Sequence, residues 1–463
     1  MAQHVLRFRP RLPALTRRLL ARRSPGYAVG QRQGCAPEVV ENASRGGETR
    51  ALTSCTPGFG PPRVRIPVRE TTEAAEACAE ITHRGLRLAR QERWRALEEA
   101  LAEADHSDAL TSEGTSVTRL LCDGAVQDVL LGVAEAVARG DAEAVRRALQ
   151  DHSEAIGPTP EAPMRALLAA WPQIAASRLW RAGTAPLSAA ARASLARHHL
   201  ETAHLLLRPH DPRALGSPAL QSACCRVLEV LPAPAAHVER NHEALIAMQP
   251  ACPDHLRAYG RDLSPQRFGT WPELDRAARR MAMRTAKIWG SGGYCWVWLD
   301  VLATQPEGLD HVDGELFAAG LHDLLQPHPP KAWPDQHMAN LLAAHCAALA
   351  PGRDGGAAPR IAGSLRWIVE DRLCELHPLL WAPPLPDGPA PNEAAQREAG
   401  HARAQEILKT LFDHQLSRGR SVIFTEQGLA LQASGCASCT LAPCAALAYP
   451  RHNLRDEDPP CLT

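Results

Sequence analysis

The sequence predicts an all-α protein built as a tetratricopeptide-like right-handed helical array, an α-solenoid, with disordered N- and C-terminal tails. Three observations predict it. Apolar residues recur at three- and four-residue spacing through most of the chain, the period of a helix with one buried face. Pro, Gly and Asp punctuate that pattern into helices of roughly 12 to 18 residues, as stacked helical hairpins require. Two segments, 199–215 and 240–257, read as slipped copies: matching Ala203 with Ala244 and Pro209 with Pro250 gives an offset of 41. That lies within the roughly 34 to 47 residues of helical-hairpin repeats. In each copy a helix ends in an apolar residue and a Pro, then restarts after a second Pro and an acid-containing turn.

Residues 1–70 form an Arg-, Pro- and Gly-rich tail without periodicity, expected to be disordered. Its first 37 residues hold eight arginines and no acidic residue, a composition resembling a mitochondrial transit peptide. The pattern Leu12, Leu15, Leu19, Leu20 fits that only weakly, so a basic tail is the favoured reading. N-terminal helical hairpins follow over 71–157. A helix pair fills 73–103, with Ile81, Leu86, Leu88 and Ala89 on one face before a break at 90–92. Trp94, Leu97, Ala100 and Leu101 line the second helix. Another helix spans 118–138 and ends at Gly140; Asp141 is placed to cap the next, 142–152. The helical core of the array covers 158–382, including helices at 315–325, 336–350 and 361–373. A Pro-rich linker, 383–392, separates it from 393–432, which carries a helix over 393–416 and one short strand, Val422-Ile423-Phe424. Residues 433–463 read as a disordered Cys-containing tail.

Charge excludes two classes of partner. The 51 lysines and arginines cancel the 51 aspartates and glutamates, leaving no whole-protein basic field for nucleic acid and no excess for an anionic membrane surface. No stretch approaches the roughly 18 uncharged apolar residues of a membrane span. Only Lys287, Lys331 and Lys409 are lysines, so the arginines read as codon bias of a GC-rich genome. The 14 scattered cysteines form no disulfide framework and read as reduced, buried small side chains of a cytoplasmic protein.

Four groups invite a chemical reading. Glu201-x-x-His204 and Glu239-x-x-His242 each place a carboxylate and an imidazole one turn apart, as di-iron bundles do, but the two further glutamates and unbroken helices such a site needs are missing. They read as helix-surface pairs, and His198-His199 as a partly exposed helix edge. Cys436, Cys439 and Cys444, with His452 and Cys461 beyond, have the spacing of zinc ligands without a second short-spaced pair. Gly290-Ser291-Gly292-Gly293 lacks the Gly-Lys-Ser/Thr ending of a phosphate loop and reads as a flexible turn between helices. Trp271, Trp289, Tyr294, Trp296 and Trp298 read as wedges between helices in preference to a peptide groove. No nucleophile elbow, His-Glu-x-x-His or dinucleotide fingerprint occurs. Neither a catalytic residue nor a cofactor or metal ligand is therefore assigned.

From about residue 86 to 300 the order of features resembles an uncharacterised bacterial family of tetratricopeptide-like domain proteins. The residues that carry the resemblance begin with Trp94 to Leu97, Leu167 to Trp171 and Leu179-Trp180-Arg181-Ala182-Gly183. They continue through Ala203, Leu207, Pro209, Asp211-Pro212, Arg257, Tyr259 and Leu263-Ser264-Pro265. Phe268-Gly269-Thr270-Trp271, Leu274, Gly290, Tyr294 and Trp296 complete them. The resemblance implies the helical-repeat fold and transfers no site residue. The expected function is a non-catalytic scaffold or adaptor holding a protein or peptide partner, with no nucleic acid and no membrane. The alternative is a zinc-binding regulator or enzyme using the C-terminal Cys/His cluster.

Overall fold

The computed structural model describes residues 63–157, 162–182, 185–326, 335–349, 355–382, 393–425 and 428–433. The chain divides into Met1–Pro57 and Gly58–Thr463, and every described residue belongs to the second unit. That unit is mostly helical, with a small three-stranded sheet. No described helix is long and apolar enough to cross a membrane.

The first helices form as their local sequence dictates. Helices α1 (Glu73–Arg90), α2 (Trp94–His106), α3 (Val117–Ala138) and α4 (Ala142–Ile156) follow one another with short turns. Thr72, Ser116 and Asp141 cap α1, α3 and α4, each side-chain oxygen accepting from a backbone N–H three residues on. Gly140, at φ +72°, makes the turn between α3 and α4. Helix α4 runs past His152 to Ile156, because Leu149, His152 and Ile156 stay on its buried face. Helices α1 and α3 cross at glycines: a Cβ on Gly124 would stand 1.9 Å from the Thr82 carbonyl oxygen.

Next come α5 (Pro163–Arg181), α6 (Ala189–Leu207), α7 (Pro218–Arg226), α8 (Ala235–Met248) and α9 (Pro253–Leu263). The matched copies are realised unevenly. Helix α8 ends at Met248 and α9 restarts at Pro253, whereas after α6 the chain turns through Pro212 and restarts only at Pro218. Helices α10 (Trp271–Arg284), α11 (Ala286–Trp289), α12 (Gly292–Thr304), α13 (Gly314–Leu325), α14 (Asp335–Leu349), α15 (Ala358–Asp371) and α16 (Pro378–Trp381) follow. The predicted helix over 393–416 is two, α17 (Glu393–Leu411) and α18 (Asp413–Ser417), broken at buried Phe412.

The sheet departs from the expectation of one short strand and of a patternless segment up to residue 70. Strand β1 (Val64–Arg65) pairs parallel with β2 (Arg420–Thr425), which pairs antiparallel with β3 (Gly428–Ala433). Val64 and Ile66 are buried, and Val68 bridges to Leu376. Alternation of apolar residues at 64, 66 and 68 is the signal for this strand, hidden by the arginines between them.

Two large cores and a smaller one result. One core is built from α1–α3 and α5–α7 with Ile156 of α4; the larger is built from Leu228 and α8 onward, with residues of β1 and β2. Trp289, Tyr294, Trp296 and Trp298 are buried to within 1% in the larger core, as wedges. Burying such a ring contributes roughly 4–6 kcal/mol, at about 25 cal/mol per Å² over about 150–250 Å². Trp271, only partly buried, stacks on Trp298 and His311.

Candidate functional site: an arginine-lined cavity

A cavity of about 790 Å³ lies where the two large cores meet. Helix α5 contributes a stripe, Trp171, Ile174, Arg178 and Arg181, at the three- and four-residue steps that share one helix face. Helix α7 contributes Ser222 and Arg226, one turn apart. Arg119 comes from α3, and Arg257 and Arg261 from α9; Arg267 follows in the next turn.

Five of these seven arginines are held by carboxylates. Arg119 pairs with Asp254 and Asp123, and Arg181 with Glu229. Arg257 makes a forked contact to Asp300, 2.8 Å at its shortest, and Arg261 binds the same carboxylate. Arg267 reaches Glu229 at 3.2 Å and Asp262 at 3.3 Å. Burial alone would raise Asp300, but Arg257 and Arg261 outweigh it and hold the carboxyl below its ordinary range. Asp262 behaves likewise: burial is outweighed by the His242 and Arg267 hydrogen bonds.

Arg178 and Arg226 differ. Among the described residues neither side chain makes an ion pair or a hydrogen bond. The Nε of Arg226 is shut from solvent and unpaired, and its guanidinium lies 5.1 Å from the Trp171 ring centroid. Burial, then repulsion from Arg178 and Arg119, lowers Arg226 to about 10, so it remains charged at neutral pH. Arg178 lines the cavity but is exposed to solvent; partial desolvation, then repulsion from Arg119 and Arg261, lowers it too. Asp123 attracts both from a distance, but neither guanidinium is ion-paired, and cations left so are costly and concentrate at functional sites.

The remaining lining is neutral. His255 donates from Nε2 to Gln249 at 2.9 Å, and burial lowers it to about 3. Burial pushes the thiols of Cys122, Cys225 and Cys252 up, Cys252 to about 12, so none is a thiolate at neutral pH.

The groups singled out in the sequence fall elsewhere, with one exception. Glu201 is an exposed partner of Arg197, four residues away, and Glu239 of Arg280. His242 is no surface residue: it is buried in the cavity wall, stacked on Tyr259, and donates from Nε2 to Asp262 at 2.9 Å. His199 is buried as well, against Gln173 at 2.7 Å, because α6 turns that side onto α5. Only Gly290 and Ser291 form the expected turn. Gly292 and Gly293 begin α12, and a Cβ on Gly292 would stand 2.5 Å from the Leu324 side chain. Cys436, Cys439, Cys444, His452 and Cys461, like the linker 383–392, lie outside the described residues. Among the described residues, no group of three or more His, Cys, Asp or Glu side chains is placed to hold a metal ion.

The arginine pair was not anticipated. Its signal is that α5 and α7 carry arginines and no acidic residue at all, so neither Arg178 nor Arg226 has an intrahelical partner.

Fold and site together define a mostly helical protein with a basic cavity between its cores. No family model matches the chain, and neither does any curated protein or solved structure.

Proposed function

We propose that this is a binding protein of helical-array, tetratricopeptide-like type whose cavity takes an anionic group. The observation that carries the reading is the pair of cavity-lining cations Arg178 and Arg226, neither of them ion-paired, beside five arginines that are, with the Nε of Arg226 shut from solvent. An anion supplies the missing counter-charge, and an enclosed guanidinium binds it more strongly than an exposed one. The scaffold or adaptor expected from the sequence takes a specific form here: what the protein holds enters between its helices, acidic end first.

Thermal melting with sulfate, phosphate, citrate and chloride at matched ionic strength tests this. The multivalent anions should raise the melting temperature of the native protein above the chloride value. They should lose that advantage on an Arg178→Gln/Arg226→Gln double variant. Equal responses of the two proteins to every anion would remove the reading.

A further inference from the structure

We infer that the anion is a phosphate monoester on a small organic body, its phosphoryl group seated between Arg178 and Arg226. The inference rests on the anion-binding reading and narrows it.

Charge sets the valence. Seven guanidiniums line the cavity, and the five carboxylates paired with them are Asp123, Asp254, Asp262, Asp300 and Glu229. The surplus is two positive charges. A single carboxylate group would leave one guanidinium uncompensated. A phosphate monoester carries about −1.5 to −2 at pH 7, and adjacent cations favour its dianion.

Donor geometry points the same way. Guanidinium forks present parallel N–H groups that match pairs of phosphate oxygens, and three terminal oxygens can serve two arginines at once. The Ser222 hydroxyl, one turn before Arg226 and also lining the cavity, adds a donor without charge.

Volume sets the body. About 790 Å³ is far more than a phosphate ion needs and falls within the roughly 300–1,000 Å³ of small-molecule sites. Leu200, Leu245 and Val301 supply apolar wall, while Ser116, Ser264, Thr304, Gln305 and the arginines make the lining at least as polar as it is apolar. That mixture suits an organic body that carries polar substituents of its own.

Calorimetric titration of the full chain at low ionic strength separates the outcomes, using phenyl phosphate, inorganic phosphate, succinate and a phosphoserine peptide. Phenyl phosphate should bind tightest, with succinate, a dianion of two carboxylates, at least about ten-fold weaker. Arg178→Gln and Arg226→Gln should each cost about ten-fold or more in phenyl phosphate affinity. Succinate binding as tightly as phenyl phosphate would overturn the phosphate assignment and leave the anion reading intact. A phosphopeptide binding tighter than phenyl phosphate would overturn the small-molecule body. Failure of all four would remove both. A measurement on the native chain needs no variant: phenyl phosphate should protect Arg178 and Arg226 from phenylglyoxal, read peptide by peptide. Unprotected arginines overturn the inference.

Discussion

The guanidinium of Arg226 lies over the indole of Trp171, 5.1 Å from its centroid, while the indole Nε1–H donates to Asp123 at 2.8 Å. The ring thereby holds the cation through its face, an attraction worth about 2 kcal/mol when desolvated. The guanidinium's own N–H edge is not engaged by a carboxylate, and an incoming ligand can take it.

Arg226→Met should therefore leave the fold as stable as before or more stable by about 1–3 kcal/mol, since an enclosed, unpaired cation gives way to a side chain of similar volume. Anion binding should fall at the same time. Denaturant melts beside the phosphate titration measure both. A loss of stability above about 2 kcal/mol would show that Arg226 is mainly a structural residue.

Asp300→Asn should act in the opposite sense. It removes the shared carboxylate from Arg257, which keeps only Asp254 at 3.6 Å, and from half-exposed Arg261, and should cost about 1–3 kcal/mol. Because it also enlarges the positive surplus, added phosphate should raise the variant's melting temperature more than the native protein's. Equal increments would mean that Arg257 and Arg261 do not sense the cavity.

Within α3, two glycines should respond oppositely to alanine. Gly124→Ala drives a Cβ to 1.9 Å from the Thr82 carbonyl oxygen and should cost about 3 kcal/mol or more. Gly132 is exposed with nothing within 4 Å, so Gly132→Ala should stabilise by about 0.5–1 kcal/mol. Urea midpoints of the two variants provide the comparison.

Acid should unfold the protein earlier than carboxylate titration alone would. Burial lowers His152, His199 and His345 to about 4, and His255 to about 3, from an ordinary 6.5. Between pH 6.5 and 4 the unfolded chain takes up protons that the folded chain refuses, so stability falls as pH falls. Asp262 and Asp300, held below their ordinary range, extend the loss at still lower pH; Asp105, raised by burial, opposes it. Melting temperatures from pH 7 to 4 should decline steadily, and His255→Gln should flatten the slope by up to one proton. An unchanged slope would place His255 outside the effect.

Helix positions were legible in the sequence to within a few residues because apolar period and caps are local properties. Ser116, Asp141 and Gly140 mark their own turns. Burial of a particular histidine was not legible. His242 and His199 sit on helices whose apolar period is weak, and only the helix packed against each decides its side. The arginine pair was hidden for a related reason. Arginine on a helix is ordinarily a solvated side chain, and Arg178 and Arg226, 48 positions apart, come within each other's electrostatic range only through tertiary packing. Strand β1 was too short for periodicity to reveal, and its partner lies at the other end of the chain.

That pairing orders events in time. The backbone N–H of Arg63 meets the Ser421 hydroxyl 358 positions later, beside the Val64–Val422 register. At the usual 5–20 residues per second, the ribosome adds that stretch in roughly 20–70 s. During that interval β1 has no mate. The cavity, whose lining ends at Gln305, leaves the ribosome well before β2 is made. A newborn chain can thus meet its ligand while its clasp is still open, and a ligand present during translation would favour that half of the molecule first.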